Sequence, residues 1–293
     1  MPSPSKRIAP VLLLSLGAQM VLATAALAHT TQKETPIMSP AKQQIVSLLK
    51  SLETGEAEPV KVVNPHKYIQ HNLAVGDGLA GLGAVLQAAP KGSINVNTVR
   101  VIQDGNYVIA HTDYNFFGPK IGFDIFRFEN GNVVEHWDNL QEKPAQPNPA
   151  GRTMIDGPTD VADLHHTAAN KALVRGFVDQ VLVGGQFDKL TDYIDPDHYL
   201  QHNPAIGDGI PNLASALQTL AQAGTPLKFE RMHALFGEGN FVLAVSEGEF
   251  LGKHVAFYDL FRVQAGKIVE HWDTIEPILP RSEWKNTNGK FGF

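Results

Sequence analysis

The chain has 293 residues, 43% hydrophobic and 18% charged, with a formal net charge of −6 and no cysteine. That balance suits one large or two ordinary globular domains and excludes a chain too polar to fold. It leaves no basic footprint for nucleic acid or an anionic membrane, and it rules out disulfides, thiol catalysis and thiolate metal ligands.

Residues 1–28 read as an export signal. Lys6 and Arg7 form a charged start, Val11 to Leu16 begin an apolar run, and Ala26-Leu27-Ala28 is a small-residue cleavage motif before His29. The run is broken by Gly17 and Gln19 and is short for a retained anchor. The mature protein is therefore expected to be periplasmic or secreted, with no membrane contact after cleavage.

Ile45, Val46, Leu48, Leu49 and Leu52 then recur at helical spacing, as do Leu173, Val174, Phe177, Val178 and Val181 much later. A shorter helix is expected in each place to begin near Pro65 and Pro196, where proline is tolerated. Third helices are predicted over 79–89 and 210–223, stopped by Pro90 and by Gly224 with Pro226. Runs rich in Val, Ile and aromatics follow, punctuated by Asp104-Gly105, Asn130-Gly131 and Ala265-Gly266, and these predict three or four long antiparallel strands.

This layout occurs twice because the chain repeats itself. YIQHNLAVGDG at 68–78 and YLQHNPAIGDG at 199–209 agree at eight of eleven positions. DIFRFENGNVVEHWD at 124–138 and DLFRVQAGKIVEHWD at 259–273 agree at nine of fifteen. Two such matches in the same order imply a tandem duplication. The expected plan is a signal at 1–28, a first domain at 41–142, a linker at 143–164, a second domain at 165–280, and a polar tail at 281–293 with no counterpart in the first half. The fold class is α+β: two tandem cones, each with about three helices on a curved antiparallel sheet around a mostly apolar pocket.

Side chains alternate along a strand, so Asp124, Phe126 and Phe128 share one face and Val134, His136 and Asp138 another. A three-residue loop with Gly131 in the left-handed region brings these faces together, whereas a two-residue loop pairs Asp124 with Trp137. The three-residue loop is expected, because it gathers the titratable residues. Asp138, His136 and Asp124, with Asp273, His271 and Asp259 in the repeat, then form an acid/base cluster. Burial and like charge separate the proton affinities of such groups. The alternative is a structural Asp–His pair that closes the strand.

His71 and His202 either cap the pocket mouth as acid, base or donor, or fix the turn before the Gly-Asp-Gly segment, where Asp77 can cap the third helix. His111 stands where the second half has Val245, which suggests unequal pockets, with activity favoured in the first. Tyr68, Asn72, Phe126, Tyr199, Asn203 and Phe261 are the expected ligand contacts. His71, His111, His136 and Asp138 have the composition of a two-histidine, one-carboxylate metal site but lack local ligand spacing, and His165-His166 looks exposed. No metal and no cofactor is expected. No nucleophile elbow, phosphate loop or dinucleotide fingerprint is present in the sequence.

The YIQHN…GDG and DIFRFENGNVVEHWD strings resemble the SnoaL-like polyketide cyclase branch of the NTF2-like superfamily, over about residues 41–142 and 165–277. The resemblance implies a cone that dimerises through its sheet. It also implies a cofactor-free aldol-type step with Asp138, and by repetition Asp273, as acid/base. In the related limonene epoxide hydrolases a strand aspartate pair with an intervening arginine activates water. Asp124 and Asp138 resemble that pair, but Gly122 stands where the arginine is expected. An export signal and two domains in one chain also depart from cytosolic, single-domain cyclases, so a carrier-bound polyketide is not the expected substrate.

The expected function is cofactor-independent acid/base chemistry on a small apolar carbonyl compound. His71 or His111 would stabilise the enolate oxygen. The alternative is a non-catalytic periplasmic binding or interaction protein. The expected partners are a small-molecule ligand and the other half of the chain, packed as an intramolecular pseudo-dimer, with a further homo-oligomer left open.

Overall fold

The structure is a computed structural model describing residues 1–2, 38–89, 92–225 and 227–293. The expected export signal lies outside the described residues apart from Met1 and Pro2, as do Pro90 and Pro226. All elements below belong to the unit Ile37–Phe293.

Helix α1 (Pro40–Thr54) starts where Ser39 Oγ accepts the Lys42 N–H and stops at Gly55, whose φ of 75° closes the last turn. Next come β1 (Ile69–Gln70), α2 (Gly78–Ala88) and four long strands, β2 (Asn95–Asp104), β3 (Tyr107–Asn115), β4 (Pro119–Glu129) and β5 (Asn132–Glu142). The second half supplies α3 (Thr167–Phe177), α4 (Leu190–Tyr193), β6 (Leu200–Gln201), α5 (Ile210–Gln222), β7 (Lys228–Glu238), β8 (Phe241–Phe250), β9 (Lys253–Gln264) and β10 (Lys267–Pro277). The class is α+β, with two five-stranded sheets ordered β1-β5-β4-β3-β2 and β6-β10-β9-β8-β7.

The expected second helices are much reduced. A 3-10 turn at Pro59–Val62 serves the first half, and a 3-10 turn at Phe187–Lys189 running into four-residue α4 serves the second. Pro65 and Pro196 follow these turns rather than opening helices. The residue before a proline is pushed out of the helical region. Asn64 Oδ1 accepts the N–H groups of His66 and Lys67, and Asp195 Oδ1 accepts those of Asp197 and His198, making side-chain turns that lead into β1 and β6.

Each helix layer covers one face of its own sheet. Ile45, Leu48 and Leu49 meet Val108, Ala110 and Phe126 in the first half, and Val174, Phe177 and Val181 meet Val242, Ala244 and Phe261 in the second. The opposite faces of the two sheets share one core containing Ile125, Trp137, Leu243, Tyr258 and Trp272.

Contacts between the sheets come in reciprocal pairs. Leu140 N–H donates to Glu276 Oε2, while Ile275 N–H donates to Gln141 Oε1. Gln103 N–H donates to Glu238 Oε2, while Gly237 N–H donates to Asp104 Oδ2. Lys42 pairs with Glu238 and Lys171 with Asp104. Asn139 Nδ2 donates to Thr274 Oγ1 at 3.0 Å, joining the same position of the two repeats.

Candidate active site

The last hairpin of each half decides which side chains reach the cavity between helices and sheet. Glu129 pairs with Asn132, so the loop has two residues, with Asn130 and Gly131 at φ of 52° and 81°. The expected three-residue loop is corrected. The extra residue sits further along, where the register shifts between Arg127 and Phe128, paired with Glu135 and Val133, leaving Val134 as a bulge. The bulge restores the pairing of Asp124 with Asp138. An Ala265-Gly266 loop and a bulge at Val269 bring Asp259 opposite Asp273 in the same way.

In the first half His136 Nε2 lies 3.2 Å from Asp124 Oδ1, and Nδ1 lies 3.0 Å from Gln70 Oε1. Asn72 Nδ2 donates to Asp138 Oδ2 at 2.7 Å, and Tyr114 O–H donates to Asp124 Oδ2 at 2.7 Å. In the second half His271 Nε2 lies 3.0 Å from Asp259 Oδ1 and Nδ1 lies 3.0 Å from Gln201 Oε1. Asn203 Nδ2 donates to Asp273 Oδ2 at 2.7 Å.

These bonds locate a proton. Gln201 Oε1 already accepts the backbone N–H groups of His202 and Asn203, so it is the amide oxygen and His271 Nδ1 must donate to it. His271 Nε2 and Asp259 Oδ1 therefore need one more proton between them, whichever atom carries it. Gln70 Oε1, accepting Asn72 N–H, imposes the same condition on His136 and Asp124.

Burial holds the Asp124 carboxyl above its usual range, with the Asp138 charge adding to it and the His136 and Tyr114 bonds opposing. Burial likewise lifts Asp273, helped by Asp259 and opposed by His271 and Asn203. For His271 burial favours the neutral ring, but the Asp259 bond and the two carboxylate charges outweigh it and raise its proton affinity. A carboxylate–imidazole–carboxylate set with displaced affinities in an apolar cavity can take up and return protons near neutral pH.

The ligand atoms of Asp124, His136 and Asp138, and those of Asp259, His271 and Asp273, lie within 4.8 Å of one another. Carboxylate and imidazole donors suit a divalent cation. Both nitrogens of each ring are already engaged, however, so a metal would have to break one of those bonds first.

Three expected site residues point elsewhere. His71 and His202 lie on the sheet face opposite the cavity, because Gln70 and Asn72, or Gln201 and Asn203, take the inward positions on either side. His71 Nε2 meets Glu135 Oε1 at 2.9 Å and the ring stacks on Trp137; His202 Nε2 meets Glu270 Oε1 at 2.9 Å and stacks on Trp272. His111 also faces the other sheet, stacked on Phe123 and 3.2 Å from Arg100 Nη1. Burial, then the Arg100 charge, pushes His111 well below the usual histidine range. The exchange of His111 for Val245 thus carries no information about the cavities, and His71 and His111 do not join His136 and Asp138. Tyr68, Asn72 and Phe126 line the first cavity; Tyr199, Asn203 and Phe261 line the second.

Asp77 does not cap α2 through its side chain; its Oδ1 accepts Gln70 N–H at 2.9 Å, and Asp208 does the same for Gln201. The tail also has a counterpart after all. Asn286 Nδ2 donates to the carbonyls of Asn72 and Val75, as Asn148 Nδ2, within the expected linker, donates to those of Gln201 and Ile206. Gly289 O and Thr153 O meet Nδ1 of His71 and His202. The segment between the halves thus crosses the second half as the tail crosses the first.

The cavities differ in size: about 110 Å³ in the first half and about 450 Å³ in the second. In the first, the ring of Tyr114 packs over Gly122 and its hydroxyl holds Asp124. In the second, Gly248 occupies the position of Tyr114 and Phe257 that of Gly122, so the ring has changed strands and lost its hydroxyl. Among the described residues, Asp259 Oδ2 and Asp273 Oδ1 are buried without a hydrogen-bond partner. Asp138 Oδ1 lacks one too, but Lys290 Nζ lies 3.9 Å away.

Carboxylates and an imidazole inside the cavity of an α+β fold of this topology have the makings of an acid/base site. Residues 174–271 match the SnoaL-like domain family, and the chain carries a SnoaL-like domain there. No curated protein matches the sequence. Among solved structures, TsrD from Streptomyces laurentii is 22% identical, covering 37% of this chain and 88% of its own at a TM-score of 0.30. An LEH-like epoxide hydrolase from M. tuberculosis is 21% identical, covering 38% and 85% at 0.31. An NTF-2 like protein of unknown function from Burkholderia xenovorans is 18% identical, covering 40% and 93% at 0.31.

Sequence reasoning missed Gln70 and Gln201, which orient the imidazoles, and Tyr114. The glutamines were open to discovery: flanking a histidine in a strand, they take its opposite face together with the asparagine two positions on. Tyr114 carried no such signal, because the repeat does not copy it.

Proposed function

We propose that the mature protein is exported and built as two tandem NTF2-like cones, at about 41–142 and 165–280. The cones pack as an intramolecular pseudo-dimer, and cofactor-independent acid/base catalysis acts on a small apolar carbonyl compound. The reciprocal contacts between the sheets support the pseudo-dimer, since a two-fold interface pairs residue i with j and j with i. The observation that carries the chemistry is an imidazole hydrogen-bonded to one carboxylate beside a second carboxylate, all lining an apolar cavity.

In this reading Asp273, or Asp138 in the first half, removes a proton from the carbon next to the ligand carbonyl. The C–H electron pair becomes the enolate C=C bond, and the carbonyl π pair moves onto oxygen. Where a C=C bond is conjugated to the enolate, returning the proton to its far carbon isomerises the ligand; alternatively the enolate carbon attacks a second carbonyl, whose π pair moves onto oxygen and takes the proton back from the carboxyl group. The expected enolate donors His71 and His111 are replaced by Tyr199. Its hydroxyl accepts from Gln201 Nε2 at 3.1 Å and so keeps its own proton to donate. Burial raises the Tyr199 pKa, keeping the phenol protonated.

The test is deuterium exchange at the α-carbons of apolar ketones, from acetophenone to 2-acetonaphthone, followed by NMR in D2O. Wild-type protein should accelerate exchange of at least one ketone over buffer, and the double variant D138N/D273N should not. No acceleration with any ketone, or equal acceleration by the double variant, removes the reading. A non-catalytic role is favoured for the first cavity alone, by Tyr114 and Lys290 engaging its carboxylates.

A further inference from the structure

We infer that the two cavities have diverged within one chain, so that the second alone binds and turns over ligand, that this ligand is uncharged, and that the first is a closed copy kept for packing. The inference rests on the acid/base reading above and says which copy carries it.

Size is the first observation. Cavities that enclose small organic ligands run to about 300–1,000 Å³. The second, at about 450 Å³, falls in that range and the first, at about 110 Å³, does not.

The second observation is the state of the carboxylates. In the first half both oxygens of Asp124 are occupied, by His136 and Tyr114, and the spare oxygen of Asp138 faces the Lys290 ammonium. In the second half one oxygen each of Asp259 and Asp273 is buried and unpartnered. The linker residue that answers to Lys290 is the uncharged Met154, one past Thr153 as Lys290 is one past Gly289, while Arg152 forks onto Asp208 at 2.9 Å as Asn288 bonds Asp77. Unpaired buried acceptors cost free energy and persist where a ligand completes them.

The third observation is the pair of residues behind the size difference and the free oxygen of Asp259. Tyr114 with Gly122 has become Gly248 with Phe257. Tyrosine cannot return at 248, because a Cβ there would fall 1.9 Å from the Lys228 carbonyl oxygen. Position 248 is therefore locked open by the backbone of β7.

Charge narrows the ligand. The described residues lining the second cavity include Asp259 and Asp273 but no Lys or Arg, whereas Lys120 lines the first. An anionic ligand would sit beside two buried carboxylates with no Lys or Arg among the described lining residues to offset it, a large penalty. A neutral carbonyl compound meets phenylalanines 177, 229, 257 and 261, with the acid/base set at one side.

The experiment uses the full chain and 2-acetonaphthone, whose fluorescence reports binding. Wild-type protein should bind one equivalent per chain. Ala216→Trp, which fills the second cavity from α5, should abolish binding, and D273N should lower α-deuterium exchange about a hundredfold or more while still binding one equivalent. Two equivalents per chain, or undiminished binding by A216W, overturns the inference. Exchange that survives D273N but is lost in D138N overturns it while leaving the acid/base reading intact; exchange that survives both single substitutions and the double removes that reading instead. The isosteric D273N guards against misfolding of A216W. Binding of 2-naphthoate as tightly as the ketone would refute the neutral-ligand claim.

Discussion

Asp273→Asn should make the protein more stable and less active at once. Asp273 is buried, one of its oxygens has no partner, and its proton affinity is raised in the folded state. The folded protein therefore binds that proton more tightly than the unfolded chain, and stability falls as pH climbs from about 4 through the folded pKa of Asp273. Asparagine has no such titration. Its Oδ1 keeps the bond from Asn203, and its Nδ2 can donate to the Asp259 carboxylate, which wants a donor at Oδ2. Relieving one destabilised functional group is worth about 0.5–2 kcal/mol. For a unit of this size that is a rise of roughly 1–8 °C in Tm at pH 7. Part of the gain is offset, because the Asp273 charge helps hold the His271 proton, and that ring should titrate lower in the variant. Calorimetry from pH 3.5 to 8 should show wild type and variant converging at the acid end and separating above it, while NMR follows His271. A variant that melts lower than wild type at pH 7, or a gain that persists unchanged at pH 3.5, would refute the account of Asp273 as a destabilised buried acid.

Tyr114→Phe strips one acceptor bond from the buried Asp124 carboxylate, so stability should drop by about 1–3 kcal/mol in urea titration, with the Asp124 pKa rising further. Tyr199→Phe should cut ketone α-exchange by about a hundredfold if its hydroxyl stabilises the enolate, and should lower stability by about 1–3 kcal/mol because the buried Gln201 Nε2 loses its acceptor. Asn286→Ala removes two bonds holding the tail to the Asn72 and Val75 carbonyls, and should cost about 1–3 kcal/mol while speeding hydrogen exchange in the 70–76 segment.

Much of the site was legible because period-two alternation is a property of the backbone. Once 124–138 is a hairpin, Asp124, His136 and Asp138 share a face if the register is even, and only the register was in question. The loop and the bulge trade against each other there: a two-residue turn with Val134 extruded gives the same pairing as a three-residue turn without it. Composition cannot separate the two, since Asn-Gly suits either. The histidines of the QHN segments misled for a related reason. The segment is a strand of two residues, so its side chains also alternate, and His71 and His202 turn outward where their neighbours turn in. The tail was illegible because its match to the linker lies in a shared backbone path around Asn148 and Asn286 rather than in a shared string.

On the proposed duplication, carrying both halves in one chain is what permits the asymmetry. In a homodimer held by the same sheet faces, each pocket is an image of the other, and any substitution that plugs one plugs both. With both halves in one chain, 114 and 248 are separate positions, so a tyrosine can clamp the first carboxylate pair and tighten that core while the second keeps its unpaired oxygens and its space. In the proposed reading, any destabilisation that chemistry requires is then confined to one half, and the other supplies packing against it through the Trp137 and Trp272 core. The reciprocal Lys42–Glu238 and Lys171–Asp104 pairs fix the relative position of the halves. On this logic the closed cavity is what allows the open one to remain strained.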